Sequence, residues 1–190
     1  KTAEEESIRM RMLLDDLLDL SRGDSGQLQL NQELVDLGPL VEKVADLSQS
    51  NLTDRRLEVL NHIPNDESSE ALADPGRLQQ VLLDLIDNAA KYSAQASLIT
   101  LLLHPHPDGI AIDVKDEGIG IPESDLPQIF KRFHRAQNSS GSSGTGLGLS
   151  VVALLMSAMG GKVHVQSKEG EGSCFSVILP KPPTTLIAKP

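Results

Sequence analysis

The stretch DPGRLQQVLLDLIDNAAKYS, residues 74–93, decides how the rest of the chain is read. Asp74 followed by Pro75 is a helix start, because an aspartate side chain can cap free amides and proline is pre-set for the first helical position. Beyond it Leu78, Val81, Leu82, Leu85, Ile86 and Ala89 fall on one apolar stripe. At about 100° per residue, Asp84, Asn88 and Lys91 share an adjacent polar face, with Tyr92 at the border. The helix therefore has one flank for a core and one for a ligand.

Downstream, Leu98 to His104 and Ile110 to Lys115 read as strands joined by a turn containing Pro, Asp and Gly, and the second alternates as Ile110, Ile112, Val114. After Pro122 to Phe130, the serines and glycines of Asn138 to Gly146 read as a flexible loop. Leu149 to Met159 is a helix ended by Gly160 and Gly161, and Val163 to Val165 and Cys174 to Leu179 close the chain as strands. Upstream, Leu28, Leu30 and Leu34 suggest a strand, Leu37 to Leu52 a helix, and Leu57, Val59 and Leu60 a short strand before the polar loop Pro64 to Glu70. The first twenty residues read as a helix with Met10, Leu13, Leu17 and Leu20 on a coiled-coil or bundle seam, ended by a polar linker at Ser21 to Gly26. The pattern is one α/β domain behind a helical stub.

At 190 residues the chain can bury roughly 70% of its unfolded surface, so it needs no covalent staple. The single cysteine, Cys174, excludes a disulfide framework and a cysteine-built metal site, and fits a reducing compartment. No apolar run approaches the roughly 20 residues of a membrane span, so the expectation is a soluble piece without membrane contact. It begins at Lys1 with no initiator methionine and no signal-peptide pattern, as expected of a segment of a longer protein. The net charge of −10 argues against a nucleic-acid surface. That charge is uneven: residues 1–70 hold 7 basic and 16 acidic side chains, whereas Leu126 to Lys168 holds Lys131, Arg132, Arg135, Lys162 and Lys168 and no carboxylate.

Three segments could carry chemistry. In DEGIGI, residues 116–121, Asp116 falls on the inward side of its strand, where a lone carboxylate needs a donor. Gly118 and Gly120 let the backbone approach a flat ligand such as a purine, although a capped turn at a strand end is an equal reading. In GTGLGL, residues 144–149, a glycine-rich turn opens a helix and offers free amides to an anion; alone it reads more readily as a flexible linker. It is neither the dinucleotide fingerprint nor a Walker loop. On the helix flank, the amide of Asn88 suits Mg²⁺ and the ammonium of Lys91 suits phosphate, against the alternative of a solvated face.

Together these residues resemble the catalytic, ATP-binding domain of sensor histidine kinases, within the wider group of ATPases that includes gyrase, the MutL repair proteins and the Hsp90 chaperones. The resemblance runs from Leu28 to Pro180. Residues 74–93 look like the N box, Asp116 to Ile121 like the G1 box, Ile129 to Arg135 (IFKRFHR) like the F box, Gly144 to Leu149 like the G2 box, and Gly170 to Phe175 (GEGSCF) like the last glycine-rich box. Five signatures in the family's order are very specific. The resemblance implies a two-layer α/β sandwich of a mixed sheet and helices, the Bergerat-type fold, with ATP under a mobile lid between the F and G2 boxes. It implies that Asp116 holds the adenine amine beside Gly118, Gly120 and Ile121, and that Asn88 binds Mg²⁺. Lys91 and Arg135 would reach the phosphates, Arg132 would be a further ATP-binding residue, Tyr92 would pack near the nucleotide, and Thr145 with Gly146, Leu147, Gly148 and Leu149 would hold the phosphate tail. All four aromatics, Tyr92, Phe130, Phe133 and Phe175, lie in these signatures and are expected to brace the pocket and lid.

The expected domains are residues 1–22 as the end of the second helix of a dimerisation and phosphoacceptor hairpin, 23–27 as linker, 28–180 as the catalytic domain and 181–190 as a tail. Implied partners are that hairpin, in a homodimer of the full-length protein, and the receiver domain of a response regulator; the implied location is cytoplasmic. Two departures stand out. None of His62, His104, His106, His134 and His164 has the His-Glu/Asp-x-Arg setting of a phosphoacceptor, so the acceptor must be supplied. Asp84 stands where these kinases usually carry asparagine and the hydrolysing relatives carry a glutamate base, which keeps open a stand-alone ATPase as well as a solvated aspartate. A non-catalytic nucleotide-binding interaction module is the third reading.

Overall fold

Alternation of side chains along five strands generates one apolar face, and the helices cover it. In the computed structural model, which describes residues 3–49, 52, 54–139 and 144–182, the elements run α1 (Ala3–Asp24), β1 (Glu33–Asp36), α2 (Leu37–Gln49), β2 (Arg56–Asn61), β3 (Glu70–Ala73), α3 (Pro75–Tyr92), β4 (Leu98–His106), β5 (Gly109–Asp116), α4 (Gly148–Ala158), β6 (Lys162–Lys168) and β7 (Gly172–Leu179). The main sheet has the order β2-β4-β5-β7-β6. Strands β2 and β4 are parallel and the other neighbours antiparallel, giving the expected mixed sheet.

The register aligns Val59, Leu101, Val114, Phe175 and Val165 in one row across the sheet. Two residues along each strand, on the same face, the row reads Leu57, Ile99, Asp116, Ser173 and Ser167. The apolar face thus turns polar at one end, at Asp116. The stripe Leu78, Val81, Leu82, Leu85, Ile86 and Ala89 of α3 is buried against this face beside Val151, Val152, Leu155 and Met156 of α4. Each such aliphatic side chain contributes roughly 1.5–3 kcal/mol when fully buried.

Asp74 caps α3 as expected, its Oδ1 accepting from Arg77 N at 3.0 Å. Its Oδ2 accepts from Asn31 N at 2.8 Å, which explains a difference from the sequence reading. The strand expected around Leu28, Leu30 and Leu34 forms only over Glu33–Asp36, because its partner β3 is four residues long and ends at the cap. Strand β3 itself lay hidden at the edge of a polar loop. Strand β6 is longer than expected because its polar His164 and Gln166 alternate outward on a sheet edge.

The linker expected at Ser21 to Gly26 is mostly helix. Helix α1 continues to Asp24 and closes in a Schellman arrangement, with Gln27 N donating to Arg22 O at 2.8 Å, Gly26 N to Gly23 O at 3.1 Å, and Gly26 at φ +65°. It also docks: Leu20 is buried, Gly23 lies against the Leu154 side chain, and Leu13 packs on the core, while Met10, Leu14, Leu17 and Leu18 are exposed. The expected seam therefore divides between two faces. The part of the glycine and serine loop at residues 140–143, and the expected tail beyond residue 182, lie outside the described residues.

Candidate functional site

A cavity of about 250 Å³ opens where the C-terminal half of α3, the end of β5 and the start of α4 meet. Helix α3 brings Asp84, Asn88, Lys91 and Tyr92 to its wall, as the polar flank required. The turn after β5 brings Asp116, Gly120 and Ile121, the segment after Phe133 brings Arg135, and the approach to α4 brings Thr145, Gly146, Gly148 and Leu149. Of the residues singled out in the sequence, Gly118, Leu147 and Arg132 sit away from the wall. Gly118 donates its amide to Asp116 Oδ1 at 2.8 Å, and Leu147 is buried in the core. Arg132 is held by Asp24 of α1 through hydrogen bonds of 2.7 and 2.6 Å.

Asp116 is 5% exposed, and burial pushes its carboxyl above the usual range while the amide of Gly118 pulls it back. It lines the cavity, where a buried carboxylate can accept from a donor. Gly120, at φ +63°, stands where a Cβ would fall 2.0 Å from Lys168 O, so only glycine closes this turn against the end of β6. Lys91 Nζ donates to Tyr92 Oη at 2.9 Å and lies beside the backbone of Gly144. Lys91 and the start of α4 therefore border the same cavity, an arrangement that can take an anion.

Asp84 behaves differently. Its Oδ2 is buried without a hydrogen-bond partner among the described residues, and its carboxyl is pushed up to about 7, by burial first and then by Asp16 and Asp87. Asp16 comes from α1, 68 positions away in the chain, and its place on the cavity wall left no signal in the sequence. His134 and Ser173 on the wall were also missed, although the first adjoins Arg135 and the second adjoins Cys174 in quoted motifs. The aromatics divide: Tyr92 and Phe175 line the cavity, Phe130 packs edge-on against Phe175 at 6.5 Å, and Phe133 is 67% exposed.

Among the described residues no group of three His, Cys, Asp or Glu side chains forms a metal site, and no helix is long and apolar enough to cross a membrane. Oxygen donors do cluster on α3, where Asn88 and the unpartnered Asp84 Oδ2 share the cavity. Such a sparse set suits Mg²⁺, which is commonly bound by one or two side chains together with substrate phosphates.

Residues 73–183 match the family described as histidine kinase-, DNA gyrase B-, and HSP90-like ATPase. The chain is 36% identical over 172 residues to the adaptive-response sensory kinase SasA of Crocosphaera subtropica, covering 90% of this chain and 45% of that protein. It is 33% identical over 179 residues to the sensor histidine kinase WalK of Bacillus subtilis, covering 92% of this chain and 29% of that one. It thus spans less than half the length of these curated relatives. Among solved structures, the Acinetobacter baumannii histidine kinase AdeS superposes with a TM-score of 0.74 at 30% identity, covering 94% of this chain and 82% of that one. Full-length ShkA in complex with AMPPNP gives 0.77 at 29% identity, covering 94% and 39%.

Proposed function

Because the chain belongs to the histidine kinase-, DNA gyrase B- and HSP90-like ATPase family, we propose that it is the ATP-binding catalytic domain of a two-component sensor histidine kinase. The observation that carries this reading is the convergence of Asn88, Lys91, Asp116, Arg135 and Thr145 on one cavity. In it, Asp116 accepts from the exocyclic amine of adenine, and Lys91, Arg135 and the amides from Gly146 to Leu149 take the phosphates. The wall also carries Asp16, Asp84 and Asp87, so a polyanion needs a cation there, and Asn88 with the neighbouring Asp84 would hold Mg²⁺. When bound, that ion neutralises charge on the transferring phosphoryl group.

The γ-phosphate then passes to the imidazole of a histidine on a dimerisation hairpin, and onward to an aspartate of a response regulator receiver domain. Protein residues supply positioning and charge rather than covalent chemistry. Residues 1–22 would be the end of that hairpin's second helix, which runs on to Asp24 before the connector, and 28–180 the catalytic domain, working in the cytoplasm within a homodimer of the full-length protein. Supplying the hairpin in trans with labelled ATP should give phosphohistidine, whereas Asn88→Ala and Asp116→Ala should abolish nucleotide binding. Unchanged affinity of a fluorescent ATP analogue in both variants would sink the site assignment.

A second reading rests on Asp84, whose carboxyl near pH 7 is poised as a base toward water. Steady phosphate release that disappears in Asp84→Asn would favour an ATPase over the kinase.

A further inference from the structure

The cavity wall contains a histidine that none of the assigned roles uses. His134 stands between Phe133 and Arg135, and its Nε2 lies 3.3 Å from Oδ1 of Asp125. Asp125 is 3% exposed, and its other oxygen accepts from Gln137 N at 2.9 Å. A buried carboxylate is costly unless it is paired, and here it holds the backbone beyond the ring by that bond and lies at ion-pair distance from an imidazole nitrogen that is itself buried without a hydrogen bond. The same segment is stapled to the loop that opens α4: Phe133 N donates to Gly146 O at 2.8 Å, and a Cβ on Gly146 would fall 2.7 Å from His134 O. His134 therefore stands on the part of the cavity wall where Arg135, Gly146 and the start of α4 gather.

We propose that His134 is a further phosphate-contacting residue of the nucleotide site and that Asp125 is its positioning residue. The proposal rests on the nucleotide reading above and adds a donor to it. Nε2 is buried beside the Asp125 carboxylate, which leaves Nδ1 as the nitrogen that can offer an N–H to a phosphate oxygen. Lys91 then reaches the phosphates from α3, and His134 with Arg135 from the segment that follows Phe133.

The test compares ATP, ADP and adenosine on the whole chain, by competition against a fluorescent nucleotide with Mg²⁺ present. His134→Ala should weaken ATP and ADP by about tenfold or more, the loss expected of one charge-assisted hydrogen bond, while adenosine stays within about twofold. Asp125→Asn keeps an oxygen for the Gln137 amide but removes the charge beside the ring, and should reproduce part of the loss for the two phosphorylated ligands. In the double variant the losses should not add, because both act through one contact. Equal weakening of all three ligands would mean a structural role only, and unchanged ATP affinity in His134→Ala would remove the contact; either overturns the proposal. If the unaltered chain bound neither ATP nor adenosine, the nucleotide reading itself would fall, a distinguishable result.

Discussion

Arg132 and Asp24 form a two-point pair, Nη1 to Oδ2 at 2.7 Å and Nη2 to Oδ1 at 2.6 Å, joining the end of α1 to the segment that leads into the cavity wall. The pairing answers where the positive charge of that segment goes. Of two arginines three residues apart, one is turned outward to α1 and the other lines the cavity. Arg135→Ala should therefore weaken ATP by about tenfold or more, as loss of a charge-assisted contact to phosphate does, and Arg132→Ala should change it far less. Equal losses in a fluorescent-nucleotide titration would show that Arg132 leaves Asp24 when ATP binds.

Arg77 and Asp19 pin the other part of α1. Arg77 Nη1 and Nη2 donate to the two carboxylate oxygens of Asp19 at 2.7 and 3.0 Å, and the Asp19 carboxylate is 6% exposed. Removing one partner strands the other at the junction of α1 and α3. Asp19→Ala should cost about 1–3 kcal/mol and speed amide exchange in α1 more than in α3. An exchange pattern identical to that of the parent chain would show that the pair does not hold the helix.

Asp84 sets a pH dependence. Its carboxyl is held near 7 in the folded chain, above the ordinary value of 3.8, mainly by burial and then by Asp16 and Asp87. The folded state thus binds this proton more tightly than the unfolded state does. The resulting stabilisation is complete below about pH 4 and is lost as pH rises through 7. Asp84→Asn should have little effect on stability at pH 4 and raise it at pH 8 by on the order of 3 kcal/mol in nucleotide-free protein. Denaturant titrations that show the same increment at both values would place the carboxylate in water. Asp16→Asn should move the midpoint of this dependence downward by removing a like charge.

Much of this is legible in the sequence. The apolar stripe of α3 and the polar flank holding Asn88 and Lys91 follow from helical spacing, and Asp116 betrayed itself as a carboxylate in phase with Ile112 and Val114. What was hidden depended on distant pairing. Strand β3 exists because β1 needs a partner, and its four residues have no pattern of their own. Asp16 joins the cavity because α1 docks, and that docking rests on Gly23 against Leu154 and on two ion pairs across 58 and 108 positions. Polar spacing around Ser21 to Gly26 suggested a linker because local composition cannot register such contacts. Phe133, at φ +61° and exposed, has the same residue type as its half-buried neighbour Phe130 and so gives no sign of facing solvent.

Gly148 separates stability from binding. It is the first residue of α4 and lines the cavity, and a Cβ built there meets nothing within 4 Å. The backbone has no need of glycine at this position, since its φ lies outside the left-handed range occupied by Gly146 at +73°. Alanine at a compatible position reduces the entropy of the unfolded chain and stabilises by about 0.4–1 kcal/mol. Gly148→Ala should therefore hold or raise the thermal midpoint. The same methyl group projects at a helix N-terminus whose amides are offered to an anion, where only a close ligand would meet it. ATP affinity should fall by about tenfold while stability is retained, an outcome that a folding defect cannot imitate. An unchanged dissociation constant in a calorimetric titration would mean that phosphate does not sit on the start of α4, and would move the anion site to Lys91 and the segment around Arg135.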